Sequence, residues 1–113
     1  MAPTDPVPLA PRDLLILSVL TGGPLHGYGI VRAVEERSES GVLLDPANLY
    51  RALRRMRRDG WIQEADEADD EGRRRTFALT REGEAVLRAE VARLERLLRN
   101  IRPAMPAGQR GRP

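Results

Sequence analysis

The chain has 113 residues, 41% of them apolar and 32% charged, with a net charge of +2 at pH 7, one histidine and no cysteine. That length suits one domain of roughly 100–200 residues, and the missing thiols exclude disulfides, thiol catalysis and cysteine-held zinc or iron–sulfur centres. A lone imidazole, His26, leaves little for acid–base or metal chemistry, so no enzyme, no metal and no cofactor is expected.

Residues 1–11 carry Pro3, Pro6, Pro8 and Pro11 and are expected to form a flexible arm. No basic residue precedes Arg12, so the chain does not open like a signal peptide, and the expected location is the cytoplasm. The apolar run Leu14–Leu20 predicts a buried first helix from Arg12, stopped by Thr21-Gly22-Gly23-Pro24. It is far short of the ~20 residues of a membrane span. A second helix is expected from near Gly27, with Ile30, Val31 and Val34 as its apolar stripe, His26 capping or packing at its start, and Gly41 at or beyond its end.

The third helix has the strongest punctuation: Asp45 as N-cap, Pro46 at the first helical position, and Gly60 as the stop. At 100° per residue, with Leu49 at zero, Leu53 lies at about 40° and Met56 at about 340°, a compact apolar stripe. Arg54, Arg58, Arg51 and Arg55 fall between about 140° and 240°, on the opposite face, with Asn48 at about 260°.

From Trp61, itself expected in the core, the pattern turns extended. Trp61-Ile62-Gln63 and Arg74–Leu79 predict two short strands around a polar loop, a β-hairpin. Thr80 can cap a last helix running to about Ile101, with Glu82 and Glu84 complementing its dipole. Leu87, Val91, Leu94, Leu98 and Ile101, spaced 4, 3, 4, 3, make a heptad seam, while Val86, Ala89, Ala92 and Leu97 give a second apolar side. One side can serve the core and the other a second copy, with Leu15 and Val19 of the first helix joining that interface. Residues 103–113 read as a disordered tail.

Resolved along the chain, the small net charge separates into +3 over 45–63, −6 over 64–72 and +3 over 73–80. The expected fold is mainly α with a small β-hairpin: a winged helix-turn-helix unit over 12–80, then a C-terminal dimerisation helix over 81–102. Such a plan sets the third helix in the major groove of double-stranded DNA and the hairpin, or wing, against the adjacent backbone. Arginine matches phosphate or the guanine edge in two hydrogen bonds, which nominates Arg51, Arg54, Arg55 and Arg58, then Arg73, Arg74 and Arg75 of the wing. Asn48 could pair with an adenine edge. The six acids of 64–72 do not fit a calcium loop, since Ala68 and Phe77 stand where ligands belong. They read as a solvated wing tip turned away from DNA. The alternative function is a winged-helix module that binds protein and not DNA. An apolar cavity among Leu15, Val19, Leu94 and Leu98 could admit a small-molecule effector.

Three stretches, LLILSVLTGGPLHGYGI at 14–30, LLDPANLYRALRRMRRDGWI at 43–62 and EGRRRTFALTREGEAVL at 71–87, together resemble the PadR family of bacterial transcriptional regulators. The resemblance covers about 12–101. It implies a homodimeric repressor on a palindromic operator, released by a small molecule or other signal, and of the short kind with a single C-terminal dimerisation helix. It also implies that Tyr28, Tyr50 and Arg51 approach the DNA. The dimer helix here lacks an aromatic residue, which argues against the stacked-drug pocket of some short members.

Overall fold

The computed structural model describes residues 7–69 and 72–106, and the side chains of 67–69 and 73 also lie outside that description. Of the expected arm and tail, 1–6 and 107–113 therefore fall outside it, as do Asp70 and Glu71 of the expected wing tip.

Helix α1 spans Pro11–Val19, with Pro11 at its first turn, and a 3-10 turn at Leu20–Gly22 ends it. A two-residue strand β1, Leu25–His26, leads into α2, Gly27–Arg37. His26 caps α2 as expected, its Nδ1 accepting the Gly29 N–H at 3.1 Å. Gly41 lies in the loop beyond the end of α2, one of the two places expected for it. The chain leaves α2 through Glu39 and Ser40, both left-handed (φ 54° and 66°), and Ser40 donates its N–H to the Glu35 carbonyl at 2.8 Å. Helix α3, Pro46–Arg58, carries the expected Asp45 cap, which accepts the Asn48 N–H at 2.9 Å.

Strands β2, Ile62–Asp69, and β3, Gly72–Leu79, pair antiparallel, and β1 adds to the outer side of β3, giving the order β1-β3-β2. The wing is longer than expected, because most of the acidic run is strand and not loop. Asp and Glu are poor strand formers, but the register sets Asp66 opposite Arg75 and Glu67 opposite Arg74, and opposite charges across a ladder favour pairing. Helix α4, Arg81–Ile101, follows the expected Thr80 cap, and a 3-10 turn, Arg102–Ala104, ends the described chain.

The core gathers Ile16, Leu17, Val19 and Leu20 with Ile30 and Val34 of α2, Leu49, Leu53 and Met56 of α3, Ile62 and Phe77 of the sheet, and Val86 and Leu87 of α4. Trp61 packs half-buried at its margin. Helix α4 buries one side of its first half and leaves its far end exposed. Val86, Leu87 and Glu90 are buried, whereas Val91, Leu98 and Ile101 are 42–49% exposed. Val19 and Leu87, expected at a partner surface, are thus filled by the chain's own core. Leu15 and Leu94 are half-buried.

The leader is not wholly free either. Leu9 packs against the core and donates its N–H to Glu90 Oε2 at 2.8 Å. Glu90, almost fully buried, also accepts Arg93 Nε at 2.6 Å and Nη2 at 2.8 Å. A buried charge is tolerable only when paired and hydrogen-bonded in this way. The Arg93 guanidinium, with the Leu9 N–H, holds the Glu90 carboxyl below its ordinary 4.5 against the opposing pull of burial. Among the described residues no helix is long and apolar enough to cross a membrane.

Candidate nucleic-acid interface

The apolar stripe of α3 is fully engaged: Leu49, Ala52, Leu53 and Met56 are all at most 2% exposed. The helix must therefore turn its arginines outward. Arg51, Arg54 and Arg58 are exposed, and with Arg55 they surround one open concavity. Arg54 makes no hydrogen bond or ion pair among the described residues. Arg58 has, among the described residues, one ion-pair partner, its chain neighbour Asp59, at 3.9 Å.

Two of the nominated side chains have work inside the fold. Arg55 Nη2 is bound to Asp13 Oδ2 of α1, a carboxylate only 8% exposed, so this arginine ties α1 to α3. Asn48 has both ends of its amide committed. Its Nδ2 donates to Asp45 Oδ2 at 2.7 Å, and its Oδ1 accepts Arg51 Nη1 at 2.7 Å. Asp45, Asn48 and Arg51 form a relay along the first turn of α3 that aims Arg51 and leaves the Asn48 amide less free to read a base.

The two tyrosines stand beside this face. Tyr28 on α2 is 66% exposed, with the Arg32 guanidinium 5.8 Å from its ring centre, a cation–π contact. Tyr50 meets Phe77 of β3 edge to face, ring centres 6.4 Å apart, and its hydroxyl end lies where a Cβ on Gly27 would be. The glycine of the His26-Gly27-Tyr28 motif lets this ring lie against the start of α2, and a side chain there would displace the Tyr50 hydroxyl. Tyr28, Tyr50, His26, Gly27, Arg74 and Arg75 line a second concavity between α2, α3 and the wing. Arg74 is half-buried and Arg75 exposed, while the Arg73 side chain lies outside the described residues.

Sequence reasoning passed over two residues that join these parts. Arg57 of α3 donates to Glu64 Oε1 at 2.5 Å, and Arg75 Nε of β3 lies 3.2 Å from Glu64 Oε2. Signals for both existed. Arg57 sits at about 80° on the helical wheel, on the flank between stripe and arginine face. Glu64 alternates with buried Ile62 and so points to the inner side of the sheet. Among the described residues no cluster of three or more His, Cys, Asp or Glu could hold a metal ion.

Comparison with known proteins adds four findings. Residues 16–89 match the family described as "Transcriptional regulator PadR-like family". The chain is 39% identical over 85 residues to an uncharacterized 37.1 kDa protein in transposon TN4556 of Streptomyces fradiae, covering 75% of this chain but spanning only 23% of that relative. It superimposes on a PadR family transcription regulator from Clostridium difficile R20291 with a TM-score of 0.67 at 28% identity, over 85% of this chain and 95% of that one. It also shares its fold with Bacillus subtilis PadR, solved in complex with operator DNA, with a TM-score of 0.63 at 21% identity over 70% of this chain and 45% of that one.

Proposed function

The chain belongs to the PadR-like family, whose members are transcriptional regulators and not enzymes, and from that premise we propose that it is a cytoplasmic repressor that binds a palindromic operator as a homodimer. In this reading α3 enters the major groove and the wing lies along the neighbouring backbone. The observation that carries it is the exposed arginine set of Arg51, Arg54 and Arg58, turned opposite a buried stripe on a capped helix. Tyr28, Tyr50, Arg74 and Arg75 flank that set, and Arg73 precedes Arg74 on the same strand.

The test is selection from a random duplex library, followed by a salt series on the selected duplex. With about 6–10 phosphates neutralised, affinity falls roughly 10³- to 10⁵-fold between 50 and 200 mM salt. A flat salt response, or a library that yields no motif while the protein captures a stoichiometric protein partner, overturns the proposal in favour of a protein-binding module.

The dimeric part of the proposal is supported by the exposed apolar end of α4, where Val91, Leu98 and Ile101 continue one heptad seam. Leu98→Glu should turn a dimer into a monomer in sedimentation equilibrium, because a buried unpaired carboxylate costs several kcal/mol (roughly 3–5). An unchanged mass removes this surface from the interface. Release by a small molecule seated among Leu15, Leu94 and Leu98 of two copies is the regulatory part, supported by the incomplete burial of these three side chains in one chain.

A further inference from the structure

Glu64 is an acid in the middle of a surface otherwise read as phosphate-binding. Its side chain is 18% exposed, and its two oxygens serve different elements, Oε1 taking Arg57 of α3 and Oε2 taking Arg75 of β3. Arg75 is opposite Asp66 in the ladder, yet its guanidinium reaches diagonally to Glu64. Around the carboxylate, Tyr50, Leu53, Arg54 and Phe77 complete a concavity between recognition helix and wing. Beside these ion pairs the junction holds the edge-on contact of Tyr50 with Phe77 and the Trp61 N–H, which donates to the Met56 carbonyl at 2.9 Å. Apolar contacts hold two elements together without fixing their direction, whereas a carboxylate gripped by a guanidinium at each oxygen sets both distance and orientation.

Resting on the DNA-binding reading above, we propose that Glu64 is a positioning residue for operator recognition, fixing the angle between wing and α3 by holding Arg57 and Arg75 at once. The two possible accounts of this acid differ in sign. By charge alone Glu64 opposes DNA, since it repels phosphates and neutralises two arginines, and its removal tightens binding to every sequence. As a positioning group it is needed where both wing and helix must meet the duplex in register, so its removal costs specific binding only.

The experiment compares the full-length wild type with Glu64→Gln and Glu64→Asp, by fluorescence anisotropy, on the duplex selected by the wild type and on a scrambled duplex of equal length. Gln keeps the shape and loses the charge; Asp keeps the charge and is too short to reach both arginines. Each variant is expected to lose about tenfold of the preference for the selected duplex, about 1.4 kcal/mol. Glu64→Gln should bind the scrambled duplex as tightly as wild type or more tightly. An unchanged preference in either folded variant overturns the proposal, as does Glu64→Asp behaving as wild type while Glu64→Gln tightens on both duplexes. A wild type that itself shows no preference sinks the DNA-binding reading and this proposal with it, a result distinct from the variants' failure alone.

Discussion

Replacing Arg54 and Arg58 together by alanine should weaken binding to the selected duplex about 100-fold while leaving the fold intact. Each arginine that meets a base edge contributes about 1–3 kcal/mol, and two at about 1.4 kcal/mol, in the lower half of that range, give about 2.8 kcal/mol, or two powers of ten. The pair is chosen because neither holds the protein up: both are exposed, and among the described residues Arg54 has no hydrogen-bond or ion-pair partner and Arg58 pairs with its chain neighbour alone. The thermal midpoint should therefore move by no more than about 2 °C, as for surface substitutions in general. Arg55 is the instructive contrast. Its loss takes the hydrogen bond from the buried Asp13 carboxylate and leaves it the longer ion pair with Arg12 at 3.7 Å, so Arg55→Ala lowers stability as well as affinity, and a binding assay alone would misread it as a DNA contact. Affinity of the Arg54/Arg58 double variant within threefold of wild type would falsify the assignment of this helix face to DNA.

Gly83→Ala should be strongly damaging for so small a substitution, costing about 3 kcal/mol of stability, the upper end of ordinary overpacking. Helix propensity alone gives the opposite sign, since alanine in place of a helical glycine is worth up to about 1 kcal/mol. Packing decides otherwise. A Cβ on Gly83 would overlap the carbonyl oxygen of Trp61 and come within 2.9 Å of Leu79 Cδ1. Neither side can yield. The Trp61 carbonyl accepts the Thr80 N–H at 3.0 Å, the Thr80 hydroxyl donates to the Gly60 carbonyl at 2.5 Å, and the same oxygen caps the Gly83 N–H at 3.0 Å. The turn after α3 and the start of α4 are thus joined through both the backbone and the hydroxyl of Thr80. At about 4–8 °C per kcal/mol for a domain of this size, the midpoint should fall by about 12 °C or more at fixed protein concentration. Gly29→Ala is the control, because its nearest neighbours stand at 3.6 Å, ordinary contact, and its midpoint should stay within a few degrees (about 4 °C or less). Equal midpoints for Gly83→Ala and wild type would remove the close approach as the reason for this glycine.

Local signals in the sequence carried most of the fold. Asp45-Pro46, Thr80 and His26 each cap the helix they precede, because a cap needs only its own turn to form. The outward placement of Arg51, Arg54 and Arg58 followed from the stripe of Leu49, Leu53 and Met56 by helical geometry alone. What escaped the sequence depends on partners brought from afar. Asp13 and Arg55 are 42 positions apart, and Leu9 and Glu90 are 81 apart. Both pairs convert a residue counted as surface or leader into a structural contact. Strand β1 is two residues long and exists only because Phe77 and Thr76 are there to pair with Leu25 and His26. The acids of β2 read as loop for a similar reason: taken alone they disfavour extended structure, and the arginines that offset this lie on the next strand.

The strand order β1-β3-β2 has a consequence for how copies of this protein behave in solution. Among the described residues β2 has no strand on its outer side, and an open ladder eight residues long is a template for another molecule's backbone. Its sequence, IQEADEAD, disfavours that use: four of the eight residues are acids, so a second β2 laid alongside would bring like charges together. The acidic stretch thereby guards the wing against edge-to-edge aggregation while its own partner strand remains free to carry the arginines.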